Sequence, residues 1–261
     1  MYDSGSSSLD VLVGGGYRPG HVYVLRGPES VGKTLLCNAS LVATQNSELL
    51  PILFAAEMFD RDFLRASEEC AENITVFREN RVGNIIDILT RINHPSLIVV
   101  DSLSMIRSDW DNGSMLSDTD SITPATRHLL SHLNHTAVRT NSVVLCTAQV
   151  RGRGKTTTAN AAVWQGASFH ISMYRSVKGI KLTIEQDPYT RPGQWCYIPV
   201  DQGKLRPKLE LLWLCVSIGV VSTRGSWYYY GDTRLGQGRD NAADGLHAFR
   251  EDIINSLRGV S

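Results

Sequence analysis

Residues 27–34 read Gly27-Pro-Glu-Ser-Val-Gly32-Lys33-Thr34, a G-x-x-x-x-G-K-T pattern that directly follows the apolar run His21-Val-Tyr-Val-Leu-Arg26. An apolar strand feeding a glycine-framed turn, then a helix expected over residues 35–44, confines the chain to a strand-loop-helix unit at the centre of an α/β sheet. Glycines at 27 and 32 permit the backbone angles of an anion nest, and the following helix adds the positive end of its dipole. The segment Gly27, Pro28, Glu29, Ser30, Val31, Gly32, Lys33, Thr34 and Leu35 is therefore expected to cradle nucleotide phosphates. Lys33 reaches the β- and γ-phosphates in this reading, and the Thr34 hydroxyl can ligate Mg²⁺. A second stretch, Gly152-Arg-Gly154-Lys155-Thr156, has Gln149 where the first glycine belongs and is not a second phosphate loop.

Beyond this unit, continuous apolar runs alternate with helical stretches. Pro51-Ile-Leu-Phe-Ala-Ala-Glu57 precedes a helix expected over 59–70; Ile74-Thr-Val-Phe77 precedes one over 84–92. Ser96-Leu-Ile-Val-Val-Asp101 and Ser142-Val-Val-Leu-Cys-Thr-Ala148 flank a helix over 125–139. Uninterrupted apolar strands imply a parallel sheet covered on both faces, and chemistry in such sheets gathers at the carboxyl ends of strands. Asp101, Glu57 and Gln149 all stand at such ends. Asp101 either supports the Mg²⁺ shell or caps the following turn. Glu57 either orients and deprotonates an attacking water or is structural. Gln149, just before a basic loop, is placed to report nucleotide state.

The segment 107–124 is rich in Ser, Asp, Gly and Asn and reads as an exposed loop. Later runs at 169–174, 180–185 and 195–199 have strand character with turns between them, so the sheet is expected to be extended by antiparallel strands. A helix over 207–218 then leads to Gly225-Ser-Trp-Tyr-Tyr-Tyr-Gly231, where the aromatics either stack on bases or build a small β-hairpin core. A last helical segment ends near residue 257.

With 261 residues, 42% of them hydrophobic, the chain can bury one large core with a small appendage. No apolar run reaches the roughly 20 residues of a membrane span, and the first residues have no signal-peptide pattern, so an intracellular, cytoplasmic protein is expected. Five cysteines, at 37, 70, 146, 196 and 215, lack zinc spacing and read as buried thiols. The formal net charge is zero, but its distribution is uneven. Between Ser121 and Ile184 there is no acidic residue, while Arg127, Arg139, Arg151, Arg153, Lys155, Arg175, Lys178 and Lys181 all fall there. Such a stretch is a solvated basic face or a polyanion site. The Gly/Thr/Asn-rich sequence around Arg151, Arg153, Lys155, Thr156, Thr157 and Asn160 favours the second, as a polar loop carrying phosphate-seeking side chains.

Taken together these segments resemble the RecA family of recombinases over nearly the whole chain. The phosphate loop, Ala56-Glu57, Val99-Val-Asp-Ser102 and Ala148-Gln149-Val-Arg151 all match family motifs. So does Gly225-Ser-Trp-Tyr-Tyr-Tyr-Gly-Asp-Thr-Arg-Leu-Gly-Gln-Gly-Arg-Asp-Asn-Ala, which is similar to the start of the family's C-terminal domain. The resemblance implies an ATPase core over 1–203, with a mostly parallel sheet flanked by helices, and a small α+β C-terminal domain over 204–261. It implies DNA loops at 107–124 and 150–168, ATP and Mg²⁺ as cofactors, and a helical homo-oligomer that pairs single-stranded DNA with a homologous duplex, aided by a single-strand-binding protein or loader. By position, Glu57 would place the water, Gln149 would couple the γ-phosphate to the DNA loop, and Asp60 and Phe63 would contact adenine. Three departures stand out. The chain begins almost at the core, without the family's N-terminal polymerisation arm; Ile184 and Gln186 occupy positions where the family carries lysines that reach a neighbour's γ-phosphate; and the acidic tail is missing. This compact form suggests a phage or mobile-element version.

Overall fold

The computed structural model describes residues 1–44, 47–57, 73–109, 118–150, 163, 165–189 and 192–258. The strand before the phosphate loop, β1 (His21–Gly27), lies inside an eight-stranded sheet. Its other members are β2 (Leu50–Ala55), β3 (Thr75–Phe77), β4 (Ser96–Asp101), β5 (Val143–Gln149), β6 (Phe169–Ser176), β7 (Gly179–Gln186) and β8 (Trp195–Ile198). The order is β3-β2-β4-β5-β1-β6-β7-β8. Strands β3 to β6 along this order pair in parallel, and β7 and β8 add antiparallel at one edge, as the alternating apolar runs and later turn-rich segment lead one to expect.

The central strands are apolar throughout because both faces are covered. On one face Tyr23, Leu25, Leu97, Val99, Val143 and Leu145 pack against α1 (Ser7–Leu12) and α2 (Lys33–Ala43). On the other, Val22, Val24, Ile98, Val100, Val144 and Cys146 pack against α3 (Val82–Arg91) and α4 (Asp118–Thr140). Each fully buried aliphatic side chain stabilises the sheet by about 1.5–3 kcal/mol, so the strand register is strongly specified. Cys37, Cys146 and Cys215 are buried free thiols and Cys196 is half-buried and free; Cys70 lies outside the described residues.

The segment 107–124 is not the uninterrupted loop its composition suggests. Helix α4 starts at Asp118 and runs through Pro124. Acidic residues suit a helix N-terminus, and the apolar stripe Ala125, Leu129, Leu130, Leu133 and Ala137 carries the helix against the sheet despite the proline.

After a short hairpin, β9 (Val200–Asp201) and β10 (Lys204–Leu205), the chain builds a separate small core. It comprises α5 (Pro207–Ser217), the three-stranded sheet β11 (Val221–Arg224), β12 (Trp227–Tyr230) and β13 (Thr233–Gln237), α6 (Arg239–His247) and α7 (Arg250–Arg258). Leu211, Leu212, Cys215, Val221, Ala242, Leu246 and Ile253 fill it, and Tyr228 and Tyr230 pack against it, so alternate aromatics of β12 serve the hairpin core. Arg234 covers the Trp227 ring at 4.3 Å and Arg224 the Tyr229 ring at 5.0 Å.

This small core is tied to the chain's N-terminus through a buried carboxyl. Glu210 Oε1 accepts from Ser6 Oγ at 2.5 Å and from the Ser8 amide at 2.7 Å, while Ser6 Oγ also accepts from Leu9 N to cap α1. Burial pushes the Glu210 carboxyl up to about 7, against the opposing effect of its Ser6 and Ser8 partners. Arg250 Nη2 meets Asp3 Oδ2 at 3.2 Å beside it.

Candidate nucleotide site at the carboxyl ends of the central strands

The phosphate-loop glycines are dictated by close approach and by backbone sign. A Cβ on Gly27 would stand 2.5 Å from the Met173 carbonyl oxygen on β6. Gly32 adopts φ 109° and a Cβ there would meet Ile180 Cδ1 at 2.5 Å. Ser30 also has positive φ, at 56°, so the loop alternates handedness as an amide nest does. Gly32 is the N-cap of α2, and no side chain among the described residues caps that helix end. The first amides of an eleven-residue helix therefore face the loop mouth, where an anion is favoured.

Lys33 is buried under the loop. Its Nζ donates to the carbonyl oxygens of Gly27 at 3.0 Å and Pro28 at 2.7 Å, two of the three bonds an ammonium can make. Burial lowers its pKa, and the nearby carboxylates Asp101, Glu57 and Glu29 only partly offset that shift. Val31 is buried, Thr34 and Leu35 are half-buried, and Pro28, Glu29 and Ser30 are exposed at the rim.

The parallel ladder delivers the remaining groups. Asp101 ends β4 beside β1's loop, and its Oδ2 accepts from Thr34 Oγ1 at 2.7 Å. Its Oδ1 accepts from Thr147 Oγ1 on β5. Two hydroxyls thus aim both carboxylate oxygens, and the donor set is all oxygen, which fits a hard cation such as Mg²⁺ and not a softer metal. The peptide between Asp101 and Ser102 is cis. Beyond it, Ser102 Oγ donates to Glu57 Oε1 at 2.8 Å, and Gln149 Nε2 donates to the same oxygen at 3.3 Å. The Gln149 backbone N–H donates to Ser104 Oγ at 2.9 Å.

Sequence reasoning brought Lys33, Thr34, Asp101, Glu57 and Gln149 to this end of the sheet, and the fold gathers them there. It assigned no role to Thr147, Ser102 or Ser104. Thr147 was signalled only by the β4–β5 register, in which Val100 pairs with Cys146 and the next residues stand side by side. Asp60 and Phe63, expected at the adenine, and Arg151, Arg153, Lys155, Thr156, Thr157 and Asn160, expected on DNA, lie outside the described residues. The stem of that basic segment is described, and it is anchored to the phosphate loop: Gly27 pairs with Gln149, and the Val150 amide donates to the Gly27 carbonyl at 3.2 Å. Arg127 is exposed in the first half of α4, which starts on the carboxyl side of the sheet, and Arg175 is exposed near the end of β6. Ile184 is fully buried in the core under β7, and Gln186 pairs with His170.

Comparison with known proteins finds similarity in both parts of the chain. Residues 209–258 match the RecA C-terminal domain. Over 98% of its length the chain is 29% identical to Protein RecA of Bartonella bacilliformis, covering 82% of that protein. Against Protein RecA of Cereibacter sphaeroides the identity is 29% over 94% of the chain and 79% of the relative, and against that of Porphyromonas gingivalis it is 26% over 92% and 78%. The chain is thus similar to RecA proteins over nearly its whole length. The similarity spans the two cores: the C-terminal match covers most of α5 to α7, and the whole-length matches cover the phosphate-loop sheet as well. Among the described residues no helix is long and apolar enough to cross a membrane.

Proposed function

We propose that this protein is a DNA-dependent ATPase that binds single-stranded DNA and promotes its pairing and strand exchange with a homologous duplex. The observation that carries the reading is the direct link between phosphate loop and basic segment: Gln149 and Val150, the last described residues before Arg151, are held by Glu57 and Gly27. A γ-phosphate that repositions Gln149 would therefore move the root of a cationic loop. Gly27 to Leu35 would hold the phosphates, with Asp60 and Phe63 at the base. Thr34 and Asp101 would hold Mg²⁺, which supplies charge neutralisation on the phosphates. Glu57, aimed by Ser102 and Gln149, would orient the attacking water and accept its proton. Arg127, Arg175 and the 150–168 segment would track the DNA backbone, giving salt-sensitive binding with little sequence preference. Residues 1–203 would form the ATPase core and 204–261 a small C-terminal domain, in copies arranged as a filament in the host cytoplasm of a phage.

A second reading is a nucleotide-gated accessory paralogue that joins another recombinase without exchanging strands. It is favoured by Ile184, an apolar core residue where the family resemblance places a cation aimed at the neighbouring subunit's phosphate. A strand-exchange assay with ATP, run beside electron microscopy on single-stranded DNA with an ATP analogue, separates the two. Joint molecules and regular filaments are expected from the first reading; isolated particles and no exchange would establish the second.

A further inference from the structure

Helix α4 carries three histidines that the phosphate site does not use, His128, His132 and His135. They lie on the side of the helix away from Leu130 and Leu133, with His128 and His135 exposed and His132 half-buried. His128 and His132 are one turn apart at i and i+4, which brings their side chains together. Their Nε2 atoms face each other at 3.2 Å, with ring centroids 4.9 Å apart and planes at 71°.

We propose that His128 and His132 form a bidentate chelate for one borderline divalent ion of the Zn²⁺, Ni²⁺ or Cu²⁺ class. Imidazole nitrogens bind such ions at about 2.0–2.1 Å, and two nitrogens separated as these are would subtend an angle of about 100° at a shared ion, close to tetrahedral. The nitrogen–nitrogen contact uses one ring proton. Ligation moves that proton to Nδ1 of the same ring, so both Nε2 lone pairs serve the ion and no net proton is released.

Ligand chemistry separates this site from the phosphate site. Imidazoles select Zn²⁺, Ni²⁺ and Cu²⁺, whereas the oxygens of Thr34 and Asp101 suit Mg²⁺. Among the described residues no group of three or more His, Cys, Asp and Glu side chains converges on one point, so water completes the coordination shell. The chelate clips one turn of α4 and places a dication within the acid-free segment 121–184, where no carboxylate of that segment offsets it.

Isothermal titration of the full chain with Zn²⁺ in Mg²⁺-saturated buffer, repeated with Ni²⁺, tests the assignment. One ion per chain is expected, with affinity falling by roughly tenfold or more in His128→Gln and equally in His132→Gln, while His135→Gln keeps the site. None of the three substitutions falls at a buried position, and thermal melts without added Zn²⁺ that match the intact protein show that the fold is kept. Absence of saturable one-to-one binding, or loss in only one of the two variants, overturns the chelate.

Discussion

Two carboxyl groups, the half-buried Asp101 at the phosphate loop and the buried Glu210 at the foot of the small core, are handled differently by the fold. Each oxygen of Asp101 accepts from its own threonine hydroxyl, one from α2 and one from β5. Both bonds of Glu210 fall on Oε1, and Oε2 has no hydrogen-bond partner among the described residues. The first arrangement uses hydroxyls, which can rotate to present oxygen to a cation, so the site can exchange partners. The second fixes two chain segments 202 residues or more apart in sequence, and burial pushes its carboxyl up to about 7. Polar burial therefore serves ligand chemistry at the sheet and assembly of the fold at the joint.

The comparison breaks first at Lys33. Lys33→Ala removes the cation that supports developing phosphoryl charge and should lower single-strand-stimulated ATP hydrolysis by roughly 10³-fold. Its thermal stability should change little beside that. A variant that kept its hydrolysis rate would detach the loop from the chemistry.

The joint gives the next largest effect, and its sign is set by linkage. Glu210 titrates at about 7 in the folded chain against 4.5 ordinarily, so its contribution is whole below pH 4.5 and is lost as pH rises through 7. That loss is about 3 kcal/mol. Urea titrations from pH 4.5 to 8 should show the intact protein weakening relative to Glu210→Gln over this window, without a matching change in nucleotide affinity. Parallel pH profiles for the two proteins would remove Glu210 as the cause.

Glu57→Gln sharpens the comparison within the phosphate site. The substitution keeps an oxygen for Ser102 and Gln149 but cannot take a proton, so nucleotide binding should persist while hydrolysis falls by roughly 10²-fold or more. Equal losses in binding and hydrolysis would make Glu57 a structural group.

The phosphate loop was legible because its meaning is local: two glycines, a lysine and a threonine within eight residues, framed by a strand and a helix. Asp101, Glu57 and Gln149 were legible because each ends an apolar run. Thr147 was hidden inside such a run, since only the β4–β5 pairing reveals that it stands next to Asp101. Glu210 looked like any charged residue of an amphipathic helix, because its partners Ser6 and Ser8 lie at the far end of the chain. Composition misread residues 118–124, where tertiary packing of Leu129 and Leu133 outweighs the turn-forming serine, aspartates and proline. The His128–His132 pair was not singled out, because a helix was expected over 125–139 without regard to which of its residues share a face.

The central claim is that the phosphate site and the basic segment after Gln149 act as one device. Measuring single-stranded DNA affinity of the intact protein with a non-hydrolysable ATP analogue, with ADP and with no nucleotide, each across a salt series, tests it most directly. The account predicts tightest binding with the analogue and a steeper salt dependence in that state, as more cations engage phosphates. Identical affinity and salt slope in all three states would contradict it.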